Sequence, residues 1–313
     1  MYKLVINGGT PLNGSIKTSG SKNATLPIFF ASILADSPLK LSNTPQLSDV
    51  STSLRLLMDM GSNFVLEEDG SIFIDSSNLT KLTAEYELVK TMRASILALG
   101  PMLTKYKKAK ISLPGGCAIG TRPVNLHLAA LEKMGATIDV RNGYIYASAK
   151  KLIGAEIHFD LVSVTATENI LMAAVLAKGI TTISNAAQEP EVTDLIYCLQ
   201  KMGAKIIGAT TSTLVIEGVE NLSGIDYSIC PDRIEAGTYL VAAAITGGKI
   251  TVNNIEPDSM RAVIGKLIET GADIQTSQNS INLDMKGKRP QPVDIRTSAY
   301  PNFPTDMQAQ FMA

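Results

Sequence analysis

Two hydrophobic patterns recur along the chain. In LLMDMGSNFVL, LEKMGATIDV, LQKMGAKIIG and LIETGADIQT an apolar residue and a few helix formers run into a glycine, and a β-prone stretch follows. The glycines are Gly61, Gly135, Gly203 and Gly271, at intervals of 74, 68 and 68 residues. Each suits the left-handed residue that ends a helix, and the alternating run beyond it suits a half-buried strand. A second set of segments opens on polar or charged residues and then turns apolar: SKNATLPIFFASILAD, TMRASILALGPML, TATENILMAAVLAKG, PDRIEAGTYLVAAAITGG and PTDMQAQFMA. These predict helices with Lys22, Arg93, Arg233 and Asp306 at comparable starting places, and Thr165 and Glu168 have the spacing of a capping box. Each period therefore holds two helices with short strands between and after them, a βαβαββ-like module, and the repeat dictates an α/β architecture. Four modules are whole. A fifth opens near Tyr300 and reaches Ala313 inside an apolar helix with no capping residue, the pattern expected of a cut chain.

Composition narrows the class. At 313 residues the chain is long for one core, so two domains are expected, and 45% hydrophobic against 18% charged residues is the balance of a globular protein. The net charge of −1 creates no global field toward nucleic acid or an anionic membrane, so neither is an expected partner and any anion site must be local. The N-terminal MYKLVINGG lacks the features of a signal peptide, and no apolar run approaches the ~20 residues that span a bilayer; the cytoplasm is the expected location. Cys117, Cys198 and Cys230 fit neither a disulfide framework nor a zinc-ligand spacing, and His127 and His158 are the only histidines. No metal site is expected, and both histidines read as structural.

The segment LPGGCAIGTRPVNLHLAALEKMGA carries the most chemistry. Pro123 fits a first helical turn, Gly135 the stop, and Val124, Leu128 and Leu131 share one face. Cys117 thus lies just ahead of a helix N-terminus, where the partial positive charge and Arg122 favour thiolate. Gly115, Gly116 and Gly120 let the loop turn amide N–H groups toward an anion. The competing reading makes Cys117 a small packing residue in a turn. Cys198 and Cys230 have no comparable setting and read as packing residues.

Lys22 and Arg93 open apolar helices at the end where cations are disfavoured, and a bound phosphate or carboxylate would offset that; alternatively both extend into water. Asp306 among such cations could act as a general base, or simply serve the helix start. Glu189 and Glu191 around Pro190 read as a solvated turn, with a binding role open.

At these residues a resemblance becomes specific. PGGCAIGTRPVNLH, SGSKNATLP, NAAQEPEVTDL, PDRIEAGTYLVAAAI and YPNFPTDMQAQF resemble the enolpyruvyl transferases of peptidoglycan synthesis, from Met1 to Ala313. The sister enzymes of the shikimate pathway share the six-unit fold without this cysteine loop. The resemblance implies an inside-out α/β barrel of βαβαββ units in two domains. One spans 21–230, with the Cys loop and the UDP-sugar wall. The other, from 1–20 plus 231–313, is incomplete. It implies transfer of the enolpyruvyl group of phosphoenolpyruvate to the 3-hydroxyl of UDP-N-acetylglucosamine, without cofactor or metal. Cys117 would be the general acid and the target of fosfomycin, and Asp306 the carboxylate at the sugar hydroxyl. Lys22, Asn23 and Arg122 would hold phosphoenolpyruvate. Arg93, the segment Arg122, Pro123, Val124, Asn125 and Leu126, and the turn Leu161, Val162, Ser163 and Val164 would hold the UDP-sugar. Asn125 stands where the family has Asp, and Ala166 where glycine is usual. The remaining alternative is a nucleotide-sugar-binding or regulatory protein of the same fold without catalytic activity.

Overall fold

The computed structural model of the protein describes residues 3, 5–89, 92–113 and 124–313, with the side chain of Arg93 outside that description. Two compact units divide it, Gly20–Cys230 and Met1–Ser19 with Pro231–Ala313.

The chain opens with β1 (Asn13–Lys17) and then lays down three modules. The first contains α1 (Lys22–Ala31), β2 (Leu39–Ser42), α2 (Ser48–Asp59), β3 (Asn63–Leu66) and β4 (Ile72–Asp75). The second contains β5 (Thr83–Ala84), α3 (Tyr86–Val89), α4 (Leu99–Tyr106), β6 (Lys108–Ser112), α5 (Asn125–Lys133), β7 (Thr137–Arg141) and β8 (Tyr144–Ser148). β9 (Glu156–His158), α6 (Val164–Ala174), β10 (Ile180–Ser184), α7 (Pro190–Met202), β11 (Lys205–Ile207) and β12 (Thr213–Glu217) make the third. Then come β13 (Asp226–Ser228), α8 (Arg233–Ile245), β14 (Lys249–Asn253), α9 (Arg261–Glu269), β15 (Asp273–Ser277), β16 (Ser280–Asp284) and α10 (Gln308–Met312).

Among the described residues, four four-stranded sheets share one plan. In β5-β6-β8-β7 and β9-β10-β12-β11 the first two strands run parallel and the others antiparallel, the βαβαββ order expected from the repeat. The sheets β13-β2-β4-β3 and β1-β14-β16-β15 follow the same order with leading strands exchanged. β1 precedes α1 in the chain yet pairs with β14, and β13 precedes α8 yet pairs with β2.

All four repeat glycines have positive φ, from 91° to 113°. After α2, α5, α7 and α9 the glycine N–H bonds the carbonyl three residues back and the next N–H bonds the carbonyl five back, the Schellman closure. Helix burial separates two classes. In α1 and α6 every residue from Ala24 to Ala31 and from Ala166 to Ala174 is buried, as are Leu99 to Thr104 of α4. A helix apolar all round belongs in a core, and these three form the centre of the first unit. Their neighbours α2, α5 and α7 bury one face, and the sheets lie outside. The arrangement is inside-out α/β. The segment TMRASILALGPML is not a continuous α-helix: Arg93–Ala98 is a 3-10 turn before α4. Pro101 lacks the N–H that would bond Leu97, which breaks the α-helical ladder there. The second unit has its own core of residues such as Leu240, Val252, Ile281 and Phe303.

Candidate functional site

Lys22 and Asn23 are the first two residues of α1, and Ser21 caps the helix by accepting from Ala24 N–H at 3.4 Å. Asp49 of α2 stands 3.7 Å from the Lys22 ammonium, with side-chain exposures of 38% and 41%. Thus the cation at a helix start is offset by a carboxylate, a partner the sequence did not suggest. An exposed pair of this kind contributes about 0–1 kcal/mol, so it holds the ammonium at the helix end without locking it there.

Cys117, Arg122 and Pro123 lie outside the described residues, as does the Arg93 side chain. Their flanks are informative. In three modules the strand of β2, β10 or β14 is followed by a left-handed asparagine: Asn43, Asn185 and Asn254, with φ of 57°, 56° and 57°. Each amide donates to the carbonyl just past the neighbouring parallel strand: Ile229 at 2.8 Å, Phe159 at 2.7 Å and Thr18 at 2.8 Å. The second module has Leu113 at that place, and the connection 113–124 has twelve residues where 43–47 and 185–189 have five. The shared staple is abandoned in the module that carries Cys117. The recurring SN, SN and NN pairs ahead of these turns are a sequence signal that could have revealed the contrast.

Just beyond that loop, Val124 caps α5, Asn125 is its exposed first residue, and Leu126 is half-buried. Val124 and Leu128 pack against the core and Leu131 lies within it, as their shared face predicts. His127 is 4% exposed, and its Nδ1 accepts from the Asn169 amide at 2.9 Å, while Nε2 lies 3.5 Å from Thr165 Oγ1. Asn169 also accepts from Gly100 N–H at 2.7 Å and donates to the Ile96 carbonyl at 3.3 Å. A Cβ on Gly100 would stand 2.3 Å from the Asn169 carbonyl, so only glycine permits this approach. One buried amide therefore ties together α5 after the Cys loop, the turn that starts at Arg93, and α6. Burial pulls His127 down to about 4. It stays neutral in the fold while an unfolded histidine takes its proton near pH 6.5. The associated stability is present above 6.5 and is lost as pH falls through that window.

Leu161 and Val162 are 69% and 41% exposed and lead into α6, where Ser163 is the cap, accepting from Ala166 N–H at 3.3 Å, and Val164 is the first helical residue. The capping box expected at Thr165 and Glu168 is absent, because Ser163 holds the extended backbone that a cap needs and Thr165 is already helical. Glu168 instead points into the core: it is 1% exposed and its Oε1 has no hydrogen-bond partner among the described residues. The solvated turn expected around Pro190 is also corrected. Glu191 is 3% exposed in the first turn of α7, where the helix end favours an acid.

Burial first, then Glu191 and Glu189, pushes the Glu168 carboxyl well above its usual range. The fold keeps this proton while an unfolded glutamate releases it near pH 4.5, so stability falls as pH rises above that value. Glu168→Gln should therefore raise Tm more at pH 8 than at pH 5 in scanning calorimetry; an equal shift at both would contradict a protonated carboxyl.

Cys198 is fully buried and its thiol is pushed upward by burial, which makes it a packing residue. Asp306 is exposed in the first turn of the 3-10 helix Thr305–Met307, in the other unit from Lys22 and the 161–164 turn. Fully buried Met307 anchors that turn within its unit.

The profile of the family described as EPSP synthase (3-phosphoshikimate 1-carboxyvinyltransferase) matches residues 6–313. Proteins named UDP-N-acetylglucosamine 1-carboxyvinyltransferase are 75% identical in Ruthia magnifica and 72% identical in Vesicomyosocius okutanii, over the whole chain and 75% of their own length. Among solved structures, the enolpyruvyl transferase NikO from Streptomyces tendae superimposes with a TM-score of 0.83 at 20% identity, covering 97% of this chain and 73% of that one. EPSP synthase from Acinetobacter baumannii gives 0.70 at 17% identity, covering 89% and 66%. At such identities these likenesses show the fold alone.

Proposed function

Because this chain belongs to the UDP-N-acetylglucosamine 1-carboxyvinyltransferases, within the wider family described as EPSP synthase, we propose that it moves the enolpyruvyl group of phosphoenolpyruvate to the 3-hydroxyl of UDP-N-acetylglucosamine. The observation that carries this is 75% identity to a protein of that name across all 313 residues.

Cys117 protonates the methylene carbon of phosphoenolpyruvate, and the sugar hydroxyl adds to the cation-like carbon that results. Asp306 takes the hydroxyl proton as general base. Loss of phosphate, with return of a proton from the methyl group, leaves the enolpyruvyl ether. Lys22, Asn23 and Arg122 hold the phosphate and carboxylate of phosphoenolpyruvate. Arg93, residues 122–126 and the 161–164 turn hold the UDP-sugar. The exposed apolar side chains of Leu161 and Val162 and the exposed helix start at Asn125 support a ligand wall there. Asn125 keeps a hydrogen-bonding side chain where the family has Asp but brings no charge. The two units act as the two domains of the enzyme, and the step is the committed one of peptidoglycan synthesis in the cytoplasm. The reactive Cys117 thiol is the point of attack for fosfomycin.

The test is phosphate release from phosphoenolpyruvate by the protein, with and without UDP-N-acetylglucosamine. Release that requires both substrates supports the proposal. Calorimetric binding of the UDP-sugar with no release at saturating phosphoenolpyruvate would favour a binding protein without catalytic activity.

A further inference from the structure

The sheet of the second module differs from its three counterparts on the face turned away from the helices. On β6, Lys108 and Lys110 alternate with buried Ala109 and Ile111, and on β8, Tyr144 and Tyr146 alternate with buried Ile145 and Ala147. Register places Lys110 beside Tyr146, and Arg141 of β7 beside Tyr144. In the third and fourth sheets Lys205 is paired with Glu217 at 2.6 Å and Lys249 with Asp284 at 3.2 Å. Lys108, Lys150 and Lys151 have no carboxylate partner among the described residues. The nearby Lys107 is pulled below the usual lysine range, by burial first and then by Lys151.

Shape adds to charge. Two adjoining hollows of about 400 and 470 Å³ share Lys108, Thr137 and Ser148. Together they extend from Arg141 to Lys150 and Lys151. Tyr146 lines the groove and the Tyr144 ring lies 6.4 Å from that of Tyr146, with Lys110 Nζ 4.4 Å from the Tyr144 centroid and the Arg141 guanidinium, itself paired with Asp139 at 3.2 Å, 4.8 Å from the Tyr146 centroid.

The geometry points to a binding track for single-stranded nucleic acid on this face. Cations along β6 and beyond β8 meet phosphates, and the tyrosines of β8 offer stacking platforms to bases, the combination by which exposed sheets hold single strands. An acidic protein segment would use the cations without stacking on the rings, and a flat anionic bilayer would not fill the groove. The whole-chain charge of −1 does not exclude a local positive field. None of these residues belongs to the proposed transferase site.

The experiment is fluorescence anisotropy of a 5′-labelled oligouridylate of about ten nucleotides, titrated with the protein over a salt series from about 50 mM. Expected is micromolar binding whose log–log salt slope is about −0.7 per phosphate neutralised, with a shallower slope for the double variant Lys108→Glu and Lys150→Glu. Tyr146→Ala should weaken binding about tenfold at every salt concentration while phosphate release stays unchanged. No binding, polyglutamate binding as tightly as the oligonucleotide, affinity indifferent to Tyr146→Ala, or capture by phosphatidylglycerol vesicles alone would each overturn the inference.

Discussion

Cys117→Ala is expected to lower UDP-N-acetylglucosamine-dependent phosphate release at least about 10³-fold with Tm unchanged, because the substitution removes the group proposed as the acid. Asp306→Asn should cost about 10²–10³-fold, since the amide keeps size and polarity but cannot take the hydroxyl proton. Both losses should fall on kcat rather than KM, as expected for groups that act on the reacting atoms. The position of Asp306 supports the distinction: it is exposed, and the turn that presents it is anchored by Met307, so the carboxylate is dispensable for packing. A Cys117→Ala chain with normal turnover would remove the acid role, and a general fall in Tm would make it a packing residue instead.

Phe29→Ala should destabilise the first unit by about 3–5 kcal/mol, measured by urea unfolding. Phe29 and its neighbour Phe30 are both 0% exposed in α1, whose other members from Ala24 onward are buried as well, so no face can relax into solvent. Met58 in α2 is the control: it is 51% exposed on an amphipathic helix, and Met58→Ala should change stability by no more than about 0.5 kcal/mol. Equal effects at the two positions would contradict the placement of α1 at the centre.

Local signals in the chain were readable and long-range ones were not. Gly61, Gly135, Gly203 and Gly271 announce helix ends because only the residue's own backbone decides a left-handed turn, and all four have positive φ. The apolar character of SKNATLPIFFASILAD on every side likewise foretells burial. By contrast, the Thr165 and Glu168 spacing suggests a capping box, whereas the cap is Ser163, whose extended backbone no spacing rule reveals. Glu189 and Glu191 look solvated in a Pro-containing turn, whereas tertiary packing over α7 buries Glu191. Exchange of β1 and β13 between sheets is invisible to periodicity, since either strand would suit either partner. Asn169 reads as one polar residue in an apolar helix until its partners on three segments are seen. The resemblance rests on motif residues, and its two most distinctive ones, Cys117 and Arg122, fall outside the described residues.

Proteolytic mapping by mass spectrometry after exposure to fosfomycin, with UDP-N-acetylglucosamine present, addresses the reactive thiol itself. The expected result is added mass on the peptide that contains Cys117, in step with loss of phosphate release, and none on Cys198, whose buried thiol is held in its unreactive protonated form. Full loss of activity with Cys117 unmodified, or modification confined to Cys198 or Cys230, would contradict an enolpyruvyl transfer centred on Cys117.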